Sequence, residues 1–121
     1  IAATADAAKA TGAHRIGVLA TPGGEALYAE ALAERELEIT RLDGEDRAAF
    51  MSAVFAVKGG DADDRPRAEM RRLAAALVQA GTEVVIAGCT EVPLLLASED
   101  VSVPLVDSAE VLARVCVDKC R

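Results

Sequence analysis

A run of three β-branched residues at positions 84–86 (Val-Val-Ile) constrains the fold more than any other part of this chain. It is too short for a helix and contains no polar residue, which is typical of a strand buried in a parallel sheet. A Gly-Cys-Thr turn at residues 88–90 follows, and then an apolar segment with Pro93 in its first turn. Proline is tolerated there because the first amides of a helix have no partner within the helix. The sequence therefore predicts a buried strand, a tight turn and a helix.

Helix-like and strand-like segments alternate along the whole chain. The predicted helices cover residues 1–11, 25–35, 43–57 and 65–80, with a last one after Asp107, where Glu110 completes a capping box. The other predicted strands cover residues 15–21, 37–42 and 104–106. This alternation predicts one α/β domain over residues 1–121, with three layers (α/β/α), a parallel sheet and right-handed crossovers.

The apolar positions also predict which faces of the helices are buried. In the 65–80 helix the apolar stripe is the most regular in the chain; it consists of Met70, Leu73, Ala74, Leu77 and Val78. In the 25–35 helix the predicted inner face consists of Leu27, Tyr28, Ala31 and Leu32. Only 2% of the residues are aromatic, so we expect a core of Ala, Val, Leu and Ile.

Charge and cysteine content limit the classes of function. The net charge of -7 argues against nucleic-acid binding and against an anionic membrane surface. No apolar run approaches the roughly 20 residues that a membrane span needs. Three cysteines without metal-like spacing favour a reduced, cytoplasmic setting. The chain opens without Met on helix-like sequence, from which we expect a fragment that lacks an N-terminal half.

The candidate site residues lie where predicted strands end, because the carboxyl ends of parallel strands meet at one edge of the sheet. Cys89 lies at the start of a helix with Thr90 as its N-cap, and a helix N-terminus lowers the pKa of a nearby thiol. Thr21 begins a Thr-Pro-Gly-Gly turn after the first strand. Both turns offer a hydroxyl and free amides to a carboxylate or phosphate. The alternatives are a cysteine that is merely buried and a turn without a function.

Other reactive residues have simpler interpretations. Lys58 is a candidate cation beside two glycines, although it could simply complement the dipole of the helix that it ends. Cys116 and Cys120 lie four positions apart in the last helix and are expected to pack in the core. The chain has no Ser-His-Asp set, metal cluster, P-loop or GxGxxG motif, so we expect no metal site.

Together these segments resemble the C-terminal half of the aspartate/glutamate racemase family. The specific match is the sequence Gly-Cys-Thr-Glu-Val-Pro-Leu-Leu-Leu at residues 88–96, which is similar to the family's second-cysteine motif. Support comes, in the family's order, from residues 16–23, 57–60 and 104–108. Glutamate racemases proper carry His where this chain has Glu91, so aspartate racemases and broader aspartate/glutamate racemases are the closer match.

The resemblance implies one lobe of a two-lobed enzyme that needs no cofactor and inverts an acidic amino acid at Cα. It implies that Cys89 is the acid/base on one face of the substrate, that Thr21 and Thr90 contact its carboxylate, and that Lys58 is the cationic partner of a carboxylate. It leaves Glu91 as an orienting residue.

The partners follow from the same resemblance. We expect a homodimer, with an N-terminal lobe that is absent here and that supplies the opposing catalytic residue. We expect the helix of residues 108–121 to pack on that lobe, and the chain alone to be inactive.

Two other classes of function stay open at this stage. One is a different enzyme on the same scaffold, such as a hydantoin racemase, an arylmalonate decarboxylase or a maleate isomerase. The other is a domain that binds an acidic amino acid or another carboxylate without turnover. A truncated lobe that keeps the fold without a function is the plainest alternative.

Overall fold

The computed structural model describes residues 2–42, 44–60, 64–88, 92–108 and 111, except for the side chains of residues 2 and 98. Three predicted functional residues, Cys89, Thr90 and Glu91, lie outside the described residues, and so do Cys116 and Cys120. Most of the predicted last helix, which begins at residue 108, lies outside them as well.

Helices and strands alternate within the described residues as the sequence predicts. The helices are α1 (Ala2–Ala10), α2 (Pro22–Glu34), α3 (Gly44–Lys58), α4 (Asp64–Gln79) and α5 (Val92–Leu95). The strands are β1 (Arg15–Leu19), β2 (Glu38–Thr40), β3 (Val84–Ala87) and β4 (Leu105–Asp107). A 3-10 turn at Ser98–Asp100 precedes β4. None of the helices in this part of the chain is long and apolar enough to cross a bilayer.

The four strands form one parallel sheet in the order β2-β1-β3-β4. The register places Thr40, the last residue of β2, level with Gly17 in the middle of β1. It places Ala87, the last residue of β3, level with Leu19, the last residue of β1. The edge strand β2 therefore stops short, while β1 and β3 end together.

Two separate apolar clusters cover the two faces of the sheet, which confirms the three-layer α/β/α prediction. On one face α1 and α2 pack on the sheet, and Tyr28 and Leu32 of α2 are buried against Ile16 and Val18 of β1. On the other face α3, α4 and α5 surround Leu19, with buried residues such as Phe50 and Met70. Successive residues of β1 enter opposite clusters because side chains alternate along a strand.

Helix α2 departs from its prediction at its start and on its inner face. It begins at Pro22 instead of residue 25, because Thr21 caps it and proline fits the first helical position. Its buried residues are Glu25, Tyr28 and Leu32, whereas Leu27 is 53% exposed. The prediction that Leu27 lies on the inner face is wrong, and a carboxylate lies on that face.

One acidic residue joins the two central strands at their amino ends. The backbone amides of His14 and Arg15, which lead into β1, donate to Oε1 of Glu83 over 3.1 Å each. These amide hydrogen bonds, the one from His14 first, hold the pKa of the Glu83 carboxyl below its ordinary value. The ionised carboxylate therefore stabilises the fold above the pKa of the unfolded chain, and the stabilisation is lost as pH falls through the folded-state pKa.

We expect Glu83→Gln to lower the unfolding temperature near neutral pH and to approach the wild type in acid. Thermal unfolding followed by circular dichroism from about pH 7 to about pH 3 measures this difference. Glu30→Gln, on the exposed face of α2, removes a carboxylate without touching these amides and serves as the control. A difference for Glu83→Gln that stays constant over this pH range would contradict the prediction.

Candidate functional site

The sheet has one topological switch point, and it lies between β1 and β3 within the described residues. β1 continues into α2 on one face of the sheet, whereas β3 leads to α5 on the other face. The two connections therefore diverge and leave a crevice outside the adjacent carboxyl ends of these strands. Ligands of open α/β sheets bind in such a crevice, so this edge is the candidate site.

Thr21 lies at the end of β1 and caps α2. Its backbone is extended (φ -62°, ψ 160°), and its hydroxyl oxygen accepts the amide of Gly24 over 3.4 Å. The amide of Glu25 donates to the carbonyl of Thr21 over 2.7 Å, which closes the first turn. The positive end of a 13-residue helix therefore faces the crevice, and it favours an anion there.

The end of β3 is packed tightly against α2. The amide of Gly88 donates to the carbonyl of Leu19 over 2.9 Å and continues the pairing of β1 with β3 by one residue. A Cβ placed on Gly88 would lie 2.8 Å from Cε2 of Tyr28 and 3.1 Å from Cβ of Ala20. Only glycine fits here without displacing the Tyr28 ring, so this position holds the backbone that leads into Cys89 close to α2.

Lys58 lies on the same side of the molecule, in the opposite helical layer. Helix α4 ends just before the amino end of β3, so it begins on the side of the carboxyl ends. An ion pair of 3.0 Å between Arg72 and Asp46 joins the middle of α4 to the first turn of α3. Ala56, near the end of α3, lines a groove together with Arg65 at the start of α4. The two helices are therefore antiparallel, and α3 ends with Lys58 on the side of the candidate site.

The structure thus places Thr21 at the carboxyl edge of the sheet and Lys58 at the end of a helix in the opposite layer. Gly88 brings the chain to the same edge, directly before Cys89 and Thr90. Whether these residues bind or act on a substrate stays a prediction.

Sequence reasoning missed a buried carboxylate beside this edge. The side chain of Glu25 is 4% exposed, and its Oε1 lies 2.8 Å from Nη2 of Arg47 on α3. Nη1 of Arg41, the residue after β2, lies 3.8 Å from the same oxygen. The available signal was the spacing of residue 25 from Tyr28 and Leu32, three and seven positions on, which places it on the inner face of α2.

The groove between α3 and α4 is a separate feature. It has a volume of about 500 Å³ and is lined mainly by small side chains of α3, such as Ala49 and Ser52, and by Arg65 and Glu69 of α4. Its lining residues belong to α3 and α4, and none of them belongs to β1, β3 or the turns after these strands. The described residues contain no group of three His, Cys, Asp or Glu side chains that could hold a metal ion.

Comparisons of the sequence with known proteins identify a family. A sequence model described as Asp/Glu/Hydantoin racemase matches residues 1–116. A relative from Pectobacterium carotovorum subsp. carotovorum, described as an uncharacterized protein in the pnlA 3' region, is 31% identical over 119 residues. The match covers 95% of this chain and 79% of that relative.

Three solved structures share the fold. A candidate Asp/Glu racemase from Yersinia pestis superposes with a TM-score of 0.89 at 30% identity, over 97% of this chain and 53% of that one. An aspartate racemase homologue from Pyrococcus horikoshii OT3 superposes with a TM-score of 0.83 at 28% identity, over 96% of this chain and 52% of that one. The aspartate racemase of Picrophilus torridus superposes with a TM-score of 0.75 at 19% identity, over 98% of this chain and 50% of that one. At this identity the likeness shows a common fold only. The chain spans about half the length of these structures.

Proposed function

This chain belongs to the Asp/Glu/hydantoin racemase family, and on that premise we propose that it forms one half of the active site of an amino-acid racemase. The substrate we propose is aspartate, glutamate or both, inverted at Cα without a cofactor. The observation that carries the proposal is the switch point between β1 and β3, where the strand ends place Thr21 and Gly88 on either side of one crevice.

Cys89 is the residue that we assign to proton transfer on one face of the substrate. It directly follows Gly88, whose backbone is held to Leu19 and packed on Tyr28. The Cα proton of an amino acid is only weakly acidic, so its removal needs a base placed against it and a matching acid on the other face. A thiolate is suited to the first task because its pKa can be brought close to neutral pH.

Recognition of the two substrate carboxylates falls to the residues around the crevice. Thr21 suits one carboxylate, since its hydroxyl can donate a hydrogen bond and the dipole of α2 favours negative charge there. We assign Thr90 to the same task as a second hydroxyl. Lys58 supplies a cation for the other carboxylate from the end of α3. These groups also stabilise the negative charge that develops when the proton leaves Cα.

The opposing acid/base is proposed to come from a second lobe. The chain spans about half of the solved structures that it resembles, and a two-base reaction needs a group on each face of the substrate. We propose that the segment of residues 108–121 packs on that lobe, that the intact protein, which carries both lobes, is a homodimer, and that it works in the cytoplasm.

Proton exchange in heavy water tests the proposal. We expect the intact protein to replace the Cα proton of aspartate or glutamate by deuterium and to invert the configuration, as followed by NMR and by chiral chromatography. We expect residues 1–121 alone not to invert the configuration, although they contain Cys89. Exchange with inversion by this chain alone would contradict the need for a second lobe, and the absence of both from the intact protein would overturn the proposed activity.

A hydantoin racemase is the second candidate, because the family description names that activity as well. A substituted hydantoin lacks the two carboxylates that we assign to Thr21 and Lys58, so the same exchange assay with a hydantoin separates the two reactions. Turnover of the hydantoin alone would favour the second candidate. Binding of aspartate without any exchange would show a carboxylate-binding domain instead of an enzyme.

A further inference from the structure

The ion pair between Glu25 and Arg47 crosses from one helical layer of the protein to the other. Glu25 belongs to α2, and Arg47 belongs to α3 on the opposite face of the sheet. The two side chains can meet because the edge strand β2 ends at Thr40, level with Gly17, whereas β1 continues to Leu19. Beyond Thr40 no strand of the described sheet separates α2 from α3 on this side.

This contact links the elements that carry two proposed substrate contacts. Thr21 caps α2, about 6 Å along the helix axis from Glu25. Lys58 ends α3, about 16 Å along the axis from Arg47. Since both helices are rigid over these lengths, holding Glu25 against Arg47 holds Thr21 and Lys58 in one relative arrangement.

The energetics of the contact favour a role beyond stability. The Glu25 carboxylate is buried, whereas the Arg47 side chain is 39% exposed. Removing a carboxylate from water is costly, and water screens its attraction to a partly exposed cation. In addition, Nε of Arg47 is buried and has no hydrogen-bond acceptor among the described residues, which carries a further cost. An apolar contact could join the two layers at a lower cost, whereas a directional ion pair holds them in one geometry.

We propose that Glu25 and Arg47 are positioning residues that set the distance between the two substrate carboxylates accepted by the site. This inference rests on the proposed function, because it takes Thr21 and Lys58 as the carboxylate contacts. Aspartate and glutamate differ by one methylene between their carboxylates. A fixed distance between Thr21 and Lys58 therefore selects one of them. One methylene in a hydrophobic pocket discriminates by roughly 10- to 200-fold, which sets the scale of the effect.

The test is the ratio of kcat/KM for the better substrate of the two to that for the poorer one, measured in the intact protein. We expect Glu25→Gln, which keeps the shape and removes the charge, to lower this ratio by about tenfold, mainly through KM. Asp6→Asn is the matched control, since it breaks the 2.7 Å ion pair of Arg35 at the opposite end of α2. We expect it to keep the wild-type ratio. A loss of stability alone would lower the activity on both substrates together.

Arg47→Lys keeps the charge and loses the fork of the guanidinium, so it repeats the test if Glu25→Gln does not fold. A wild type that uses both substrates equally, or variants that keep its ratio, would overturn the positioning role while leaving the proposed racemase in place. If the wild type racemises neither substrate, the proposed function fails. The ratio of the dissociation constants for aspartate and glutamate, measured by calorimetry, then replaces the kinetic ratio. If the variants keep the wild-type ratio, or if neither amino acid binds, this inference is overturned as well.

Discussion

Phe50→Ala is expected to reduce the free energy of unfolding by about 3–5 kcal/mol, the largest effect on stability that we predict. The Phe50 side chain is fully buried in the cluster between α3, α4 and the sheet, where Met70 and Leu73 are buried as well. Its removal loses the favourable free energy of transferring the ring from water to the core. It also leaves a cavity that the neighbouring side chains fill only in part. Urea unfolding followed by circular dichroism measures the loss, and a fall in unfolding temperature of about 10–20 °C should accompany it.

Phe55→Ala supplies the control within the same helix. The side chain of Phe55 is 62% exposed, so we expect a change of no more than about 0.5 kcal/mol. The two variants delete the same atoms from α3 and differ only in the surroundings of the ring. Equal losses for both would contradict the placement of α3 on the sheet.

Local periodicity predicts much of this fold because the helices and strands follow from neighbouring residues. The 65–80 helix is found as Asp64–Gln79, and the strand at residues 84–86 is found as Val84–Ala87. Each of these two apolar patterns lies entirely within one helix or strand, so it can be recognised without any long-range contact. The apolar stripe of α4 is confirmed where it includes Met70, Leu73 and Leu77, which are all buried.

The lengths and ends of other elements depend on contacts that no local pattern contains. Residues 37–42 alternate like a strand, yet only Glu38–Thr40 pair with β1, because β2 lies at the edge of the sheet with a single neighbour. The sequence around Thr21 predicts a turn, although the same residues are a cap followed by proline and can begin α2 directly. The inner face of α2 follows from spacing alone, since Glu25, Tyr28 and Leu32 stand at i, i+3 and i+7 and Leu27 lies off that stripe.

The candidate site divides in the same way. The topology of an alternating α/β chain predicts that the ends of β1 and β3 meet, which is why Thr21 could be singled out from its position after a strand. Glu25 could not be found so simply, because its partner Arg47 is 22 positions away and the contact depends on the early end of β2. Long-range ion pairs of this kind become visible only when the layers are assembled.

Cys89→Ser should cause the largest loss of activity. General acid–base catalysis by a positioned side chain contributes about 10²- to 10⁴-fold, and a serine hydroxyl is a far weaker base than a thiolate. We expect racemisation to fall by that factor in both directions, because inversion needs a base on one face of Cα and an acid on the other. The binding of aspartate, measured by calorimetry, should change little, since the carboxylates are assigned to other residues. Cys120→Ser, at a cysteine that we predict to be structural, is the control and should retain racemisation.

The stereochemistry of the remaining exchange distinguishes a lost base from a damaged fold. If Cys89 serves one face of the substrate, the opposing base of the Cys89→Ser variant still reaches the Cα proton of one enantiomer and returns deuterium from the solvent to the same face. Slow exchange with retained configuration should therefore persist for that enantiomer, while exchange of the other enantiomer is lost with racemisation. A misfolded variant would lose both exchanges together. Racemisation by Cys89→Ser at the wild-type rate would contradict the assignment of Cys89 to one face. Residual exchange at equal rates for the two enantiomers would contradict it as well.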